Sequence, residues 1–168
     1  GQAYELTNQD WDCLRMLCSA NMYFEKYEEA EKYGRRGYEI NPNNPGMLSK
    51  YGQSLVFNGS LDQGLSILNK AMELNPLNEA IIDTLVWANY AAEKFEKCIE
   101  FKPLSKHFSP HTWILRIACL GALSRDQERN EEFEAFIDFH GRKEMNKQLA
   151  DLKFNNTEIE NNIRLLVN

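Results

Sequence analysis

Glu39-Ile40-Asn41-Pro42 returns 34 residues later as Glu73-Leu74-Asn75-Pro76. Each phrase is followed by an asparagine at the same offset, Asn44 and Asn78. Working backwards, Tyr27 is matched by Leu61, Ala30 by Gly64, and Leu17-Cys18 by Tyr51-Gly52. Ala3-Tyr4-Glu5-Leu6 stands two periods ahead of Ala71-Met72-Glu73-Leu74. A fixed period of this size marks a stack of equal units, each too small to bury its own apolar face. The match at Ala3–Leu6 makes residues 1–10 the expected tail of an upstream repeat.

Inside each period the pattern is helix, turn, helix. Trp11, Leu14, Leu17 and Cys18 recur at helical spacing over Trp11–Phe24. Tyr27–Ile40 follows and is stopped by Asn41-Pro42-Asn43-Asn44-Pro45, because proline cannot continue a helix and asparagine favours caps. The next pair spans 46–58 and 61–74, broken at Asn58-Gly59 and ended by Pro76-Leu77-Asn78. A third pair spans 79–92 and 95–102, and Pro103 cuts its second helix short. Residues 104–110 read as a loop. Helices are then expected at 111–123, 127–139 and 143–152, with Gly141 as a C-cap. Thr157 and Glu160 form a capping-box pattern that opens a last helix through Leu166. No strand pattern is present.

Composition narrows the function. The net charge is −6 and the isoelectric point is near 5.2, which argues against a basic footprint for nucleic acid. No apolar run approaches the roughly 20 residues of a membrane span, so membrane insertion is not expected. Cys13, Cys18, Cys98 and Cys119 form no CxxC pair and read as buried free thiols. His107 and His111 lie four apart, but Ser109-Pro110 separates them and no further ligand is near, so no metal site is expected. GxSxG, P-loop, GxGxxG and HExxH motifs are all absent, and neither catalysis nor a cofactor is expected.

The residue classes resemble the tetratricopeptide repeat (TPR). Counted from Trp11, the family's key positions hold Leu14, Cys18, Ala30, Gly37 and Pro42. Counted from Pro45 they hold Leu48, Gly52, Gly64, Ala71 and Pro76. From Glu79 they hold Ile82, Val86 and Cys98, and then the pattern lapses. The resemblance implies an all-α, right-handed TPR helical-hairpin solenoid closed by C-terminal capping helices. Its expected organisation is TPR 1 at 11–44, TPR 2 at 45–78, an irregular TPR 3 at 79–109, a TPR-like helix pair at 110–140 and capping helices at 141–168. Ser109-Pro110-His111-Thr112-Trp113 and Ala118–Arg125 also resemble late repeats in the C-terminal arrays of bacterial class III adenylate cyclases and ToxR/CadC-type winged-helix activators.

In TPR proteins the first helix of each repeat lines a concave groove. Carried over position by position, the groove here holds Arg15, Ser19 and Tyr23 from the first repeat, with Met16 and Met22. The second repeat supplies Lys50, Gln53 and Phe57, with Ser49 and Val56. The third supplies Asp83, Trp87 and Tyr90, with Thr84. Aromatics beside a few polar groups suit a docked peptide or helix. Arg15 and Lys50 suit an acidic side chain or a terminal carboxylate. The chaperone-type carboxylate clamp is not matched: its positions read Arg15, Ser19, Lys50, Ala80 and Thr84, and only Arg15 keeps the charge type.

These readings lead to a non-catalytic interaction or sensory domain of a larger bacterial signalling or transcription-regulatory protein. Its partner is expected to be a protein, a peptide or a second copy of itself. The competing reading is a free-standing cytoplasmic adaptor or chaperone. A cyclase parent implies the cytoplasm, and a membrane-anchored activator implies the periplasm.

Overall fold

The structure, a computed structural model, describes residues 10–101 and 109–151. Among the described residues there are nine α-helices and no strand. They are α1 (Trp11–Tyr23), α2 (Tyr27–Ile40), α3 (Pro45–Phe57), α4 (Leu61–Leu74), α5 (Glu79–Ala91), α6 (Phe95–Glu100), α7 (Pro110–Ala122), α8 (Asp126–His140) and α9 (Arg142–Asp151). The chain divides into two compact units, Gly1–Ala88 and Asn89–Asn168, with the division inside α5. The expected helix at Thr157–Leu166 lies outside the described residues, as does most of the loop expected at 104–110. Pro110 belongs not to that loop but to the first turn of α7. There its missing N–H is harmless and its fixed φ suits the helix.

In the first unit α1 packs on α2 and α3, α2 on α3, and α3 on α4. Leu14, Cys18, Ala30, Met47, Leu48, Leu55, Leu68 and Ala71 are fully buried. Helix starts are held by side chains: Asn44 Oδ1 accepts from Met47 N at 3.0 Å, and Asn78 Oδ1 from Ala80 N at 3.1 Å. Small residues sit where helices cross. A Cβ built on Gly64 of α4 would stand 2.5 Å from Val56 Cγ2 and 3.0 Å from the carbonyl oxygen of Gly52. The crossing of α3 and α4 therefore needs hydrogen at this position.

One turn links first helix to second four times over. Glu25, Gly59, Glu93 and Ser124 each take a left-handed φ, of 57°, 92°, 56° and 55°. The residue after each donates its N–H six residues back, at 2.8 to 2.9 Å: Lys26 to Asn21, Ser60 to Leu55, Lys94 to Asn89 and Arg125 to Leu120. This is the hydrogen-bond signature of a Schellman stop. Only one of the four turns carries glycine, yet a left-handed L-residue costs roughly 1–2 kcal/mol. Glycine offsets part of that gain through its larger unfolded-state entropy, by about 0.5–1 kcal/mol. Glu25→Gly, Glu93→Gly and Ser124→Gly are each expected to stabilise the chain by about 0.5 kcal/mol, and Gly59→Ala to destabilise it similarly, measured by urea unfolding.

In the second unit α7 packs on α6 and α8, and α9 packs on both α7 and α8. Ile114, Leu115, Ile117, Phe136 and Met145 are buried. Helix α6 ends at Glu100, two residues earlier than its sequence pattern predicts, and Arg116 of α7 serves its end. The Arg116 guanidinium donates to the carbonyls of Cys98 (3.4 Å), Ile99 (2.9 Å) and Phe101, and pairs with the Glu132 carboxylate of α8. A cation at a helix C-terminus meets both the unpaired carbonyls and the negative end of the dipole. Cys98 and Cys119 are buried free thiols. Their mutual hydrogen bond and burial push the Cys119 thiol well above its usual range.

Candidate functional site

In the first unit α1, α3 and the turns of α5 up to Ala88 stand in a row. The joints between them are specific. The Cys18 thiol of α1 donates to the Lys50 carbonyl of α3 at 3.4 Å. Gln53 of α3 donates from Nε2 to Thr84 Oγ1 at 2.7 Å and to the Ala80 carbonyl at 3.4 Å on α5. These bonds and the shared helix caps bring the side chains at matching positions onto one face.

Two features occupy that face. The first is a column of rings: Tyr27 stacks on Phe57 at 5.6 Å and 18°, and Phe57 stacks on Trp87 at 4.6 Å and 29°. Offset stacking in this range is favourable beyond the area it buries. The column stays partly open, since Phe57 is exposed and Tyr27 and Trp87 are half-buried. Tyr23 and Phe24 lie edge to face at 5.3 Å at the end of α1 and the start of the following turn. Tyr23 is 84% exposed, so its ring is held out to solvent rather than packed.

The second feature is a pair of cations, Arg15 on α1 and Lys50 on α3. Arg15 holds Asp12 at 2.7 Å on its own helix. Lys50 Nζ donates to Gln53 Oε1 at 3.1 Å. Burial holds the Lys50 ammonium below the ordinary lysine range, and Arg15 nearby pushes it the same way. An anion placed between the two would relieve both effects. Lys50 and Phe57 are two turns apart on one helix, about 10 Å at 1.5 Å per residue. The face thus offers a positive point and, about 10 Å away, a flat apolar shelf.

The sequence-predicted residues divide on this geometry. Arg15, Lys50, Phe57 and Trp87 come together, and Tyr23 is open to solvent. Ser19 is half-buried with its hydroxyl on the Arg15 carbonyl at 3.0 Å, so it props the helix. Asp83 is half-buried one turn before Trp87. Gln53 is buried, and its amide is used to tie α3 to α5. Tyr90 is also buried, in the second unit beside Phe95 (6.2 Å between rings), and belongs to no open face. Ser49, Val56 and Thr84 are buried as well, Val56 against Gly64. Tyr27 was missed because the groove was assigned to first helices alone. The signal that finds it is the spacing of 30 residues through Tyr27, Phe57 and Trp87.

The second unit has an open cleft of about 720 Å³ over Ile99, Leu120 and Ala135, rimmed by carboxylates. Its charges are largely matched within the unit: Arg116 with Glu132, Arg125 with Glu128 and Lys97 with Glu100. Among the described residues no group of His, Cys, Asp and Glu is arranged to hold a metal ion. No described helix is long and apolar enough to cross a membrane.

No family model and no curated protein matches the chain. Among solved structures it is similar to YrrB, a TPR protein with an unusual peptide-binding site. The TM-score is 0.66 at 13% identity, over 84% of this chain and 74% of that one. At this identity the likeness speaks for the fold. The chain is an all-α helical-hairpin repeat protein of the TPR kind.

Proposed function

We propose that the chain is a non-catalytic recognition module that holds a peptide or protein segment on the face of α1, α3 and α5. The observation that carries this is the half-open Tyr27–Phe57–Trp87 column with Arg15 and Lys50 on the same helices. Rigid aromatics supply contact area at little entropic cost, and buried-edge cations supply orientation. The segment that fits carries a carboxylate about 10 Å from an aromatic or large aliphatic side chain, roughly three residues in extended conformation. The peptide-binding site of YrrB supports the reading by analogy of fold.

The wider setting in this proposal is a larger bacterial signalling or transcription-regulatory protein. The likeness of Ser109–Trp113 and Ala118–Arg125 to cyclase and ToxR/CadC-type arrays supports it. Binding then acts by favouring one arrangement of the parent protein. The test is fluorescence anisotropy with a library of labelled acidic–aromatic peptides, each paired with its Asp/Glu→Lys counterpart. Acidic peptides are expected to bind at least about tenfold more tightly, a difference of roughly 1.4 kcal/mol. Arg15→Glu with Lys50→Glu should invert that preference, and Trp87→Ala should weaken both classes. Equal affinity of the wild type for both peptide classes would remove the assignment.

A further inference from the structure

Asp10, Asn44 and Asn78 are spaced by one period and do one job. Asp10 Oδ1 accepts from Asp12 N at 2.9 Å, Asn44 Oδ1 from Met47 N at 3.0 Å, and Asn78 Oδ1 from Ala80 N at 3.1 Å. The backbone at Asp10 (φ −84°, ψ 113°) and at Asn44 (φ −82°, ψ 116°) is nearly identical. This places α1, α3 and α5 in one register, so their faces are comparable residue by residue.

The comparison isolates one difference. Leu17 of α1 is 39% exposed, and its counterparts Tyr51 and Leu85 are 3% and 0% exposed. Ala20 is exposed, whereas Ser54 and Ala88 are fully buried. Cys13 is half-buried, whereas Met47 and Ile81 are fully buried. On α3 the structure shows what does the covering, and it is α2, the second helix of the preceding hairpin. A Cβ on Gly37 would stand 2.3 Å from Met47 Sδ, and one on Gly34 2.9 Å from Tyr51 Cδ2 and 3.1 Å from Ser54 Oγ. Tyr38 stacks on Tyr51 at 5.4 Å. The face thus takes a helix with small residues at the crossing, followed by an aromatic.

We infer that the outer face of α1 is a docking surface for the second helix of an in-register hairpin. The occupant is a helix whose last turn is this chain's own Ala3-Tyr4-Glu5-Leu6. That turn stands one period before Gly37-Tyr38-Glu39-Ile40 and two before Ala71-Met72-Glu73-Leu74. Ala3 takes the place of Gly37, and Tyr4 that of Tyr38. A docked hairpin also lengthens the recognition face by one helix, on the side where Arg15 and Tyr23 now stand at its edge.

The test adds the missing hairpin to the full chain. A copy of Pro45–Lys70 is fused directly ahead of Ala3, which keeps the 34-residue period. Helical content by circular dichroism is expected to rise, and amide exchange in α1 to slow by about tenfold or more. Leu17→Asp with Ala20→Glu should abolish that protection in the extended chain and leave the melting temperature of the unextended chain unchanged. Unaltered exchange in α1, protection that survives the double substitution, or a fused segment that gains no helix would each overturn the inference. So would a concentration-dependent dimer of the unextended chain that Leu17→Asp dissolves, because the face would then belong to a second copy.

Discussion

Replacing Arg116 by methionine is expected to destabilise the second unit by about 3–5 kcal/mol, the range for removing one member of a buried ion pair. The side chain is 4% exposed and serves two needs at once. It neutralises Glu132 of α8 and satisfies the carbonyls of Cys98, Ile99 and Phe101 at the end of α6. Helix α6 has six residues, too few to be stable by its own hydrogen bonds. Its last carbonyls face the interior beside Arg116, so losing the guanidinium leaves polar groups unpaired where water reaches them poorly. Methionine keeps much of the volume, which assigns the loss to the donors rather than to a cavity. Lysine should recover little, because one ammonium cannot reproduce the planar fork that reaches two helices together. Urea unfolding gives the magnitude. Hydrogen exchange locates it, with α6 amides expected to lose protection first.

Gly64→Leu is expected to have a comparable effect on the first unit, about 4 kcal/mol or more. The magnitude follows from comparing two opposed terms in the smaller change, Gly64→Ala. Alanine gains about 1 kcal/mol of helix propensity in α4. Against this, its Cβ would enter at 2.5 Å from Val56 Cγ2 and 3.0 Å from both the Gly52 carbonyl oxygen and the Val56 nitrogen. Backbone atoms cannot step aside as a side-chain tip can, and overpacking of this kind costs about 1–3 kcal/mol. Crowding wins for alanine by a small margin and for leucine outright, since α3 and α4 must then separate. Gly121→Ala is the control. Its nearest neighbour would be Arg129 Cδ at 3.5 Å, an ordinary contact, so the propensity gain of about 0.5–1 kcal/mol should appear in full. Equal effects at Gly64 and Gly121 in thermal unfolding would refute the packing argument.

The groove shows where sequence reasoning reached and where it stopped. Position counting brought Arg15, Lys50, Phe57 and Trp87 to one face, because side chains a fixed number of helical turns from a fixed cap share a direction. It gave Gln53 and Tyr90 the same status, yet both are buried. The hydrogen bond from Gln53 to Thr84 joins residues 31 apart, and no local pattern announces it. Tyr27 has the opposite history. It opens a second helix, and it enters the face only because its ring lies on Phe57. Arg116 carried no signal at all. Its importance comes from a helix stopped early, whose last carbonyls lie beside a side chain 15 to 18 residues further on.

What the sequence determined by itself is local and periodic. The asparagine caps, the proline stops and the small residues at crossings set where each helix begins and ends. The forces involved act within one or two turns: a cap reaches its N–H three residues away, and a proline removes its own donor. The 34-residue period then determines that the hairpins stack. Tertiary structure alone decided which polar groups are spent on holding helices together and which remain for a partner. That choice depends on burial, and burial is set by neighbours brought in from other repeats. Leu17 and Tyr51 illustrate the limit. They hold the same position on the same kind of helix, and only the helix packed beside Tyr51 makes one of them core and the other surface.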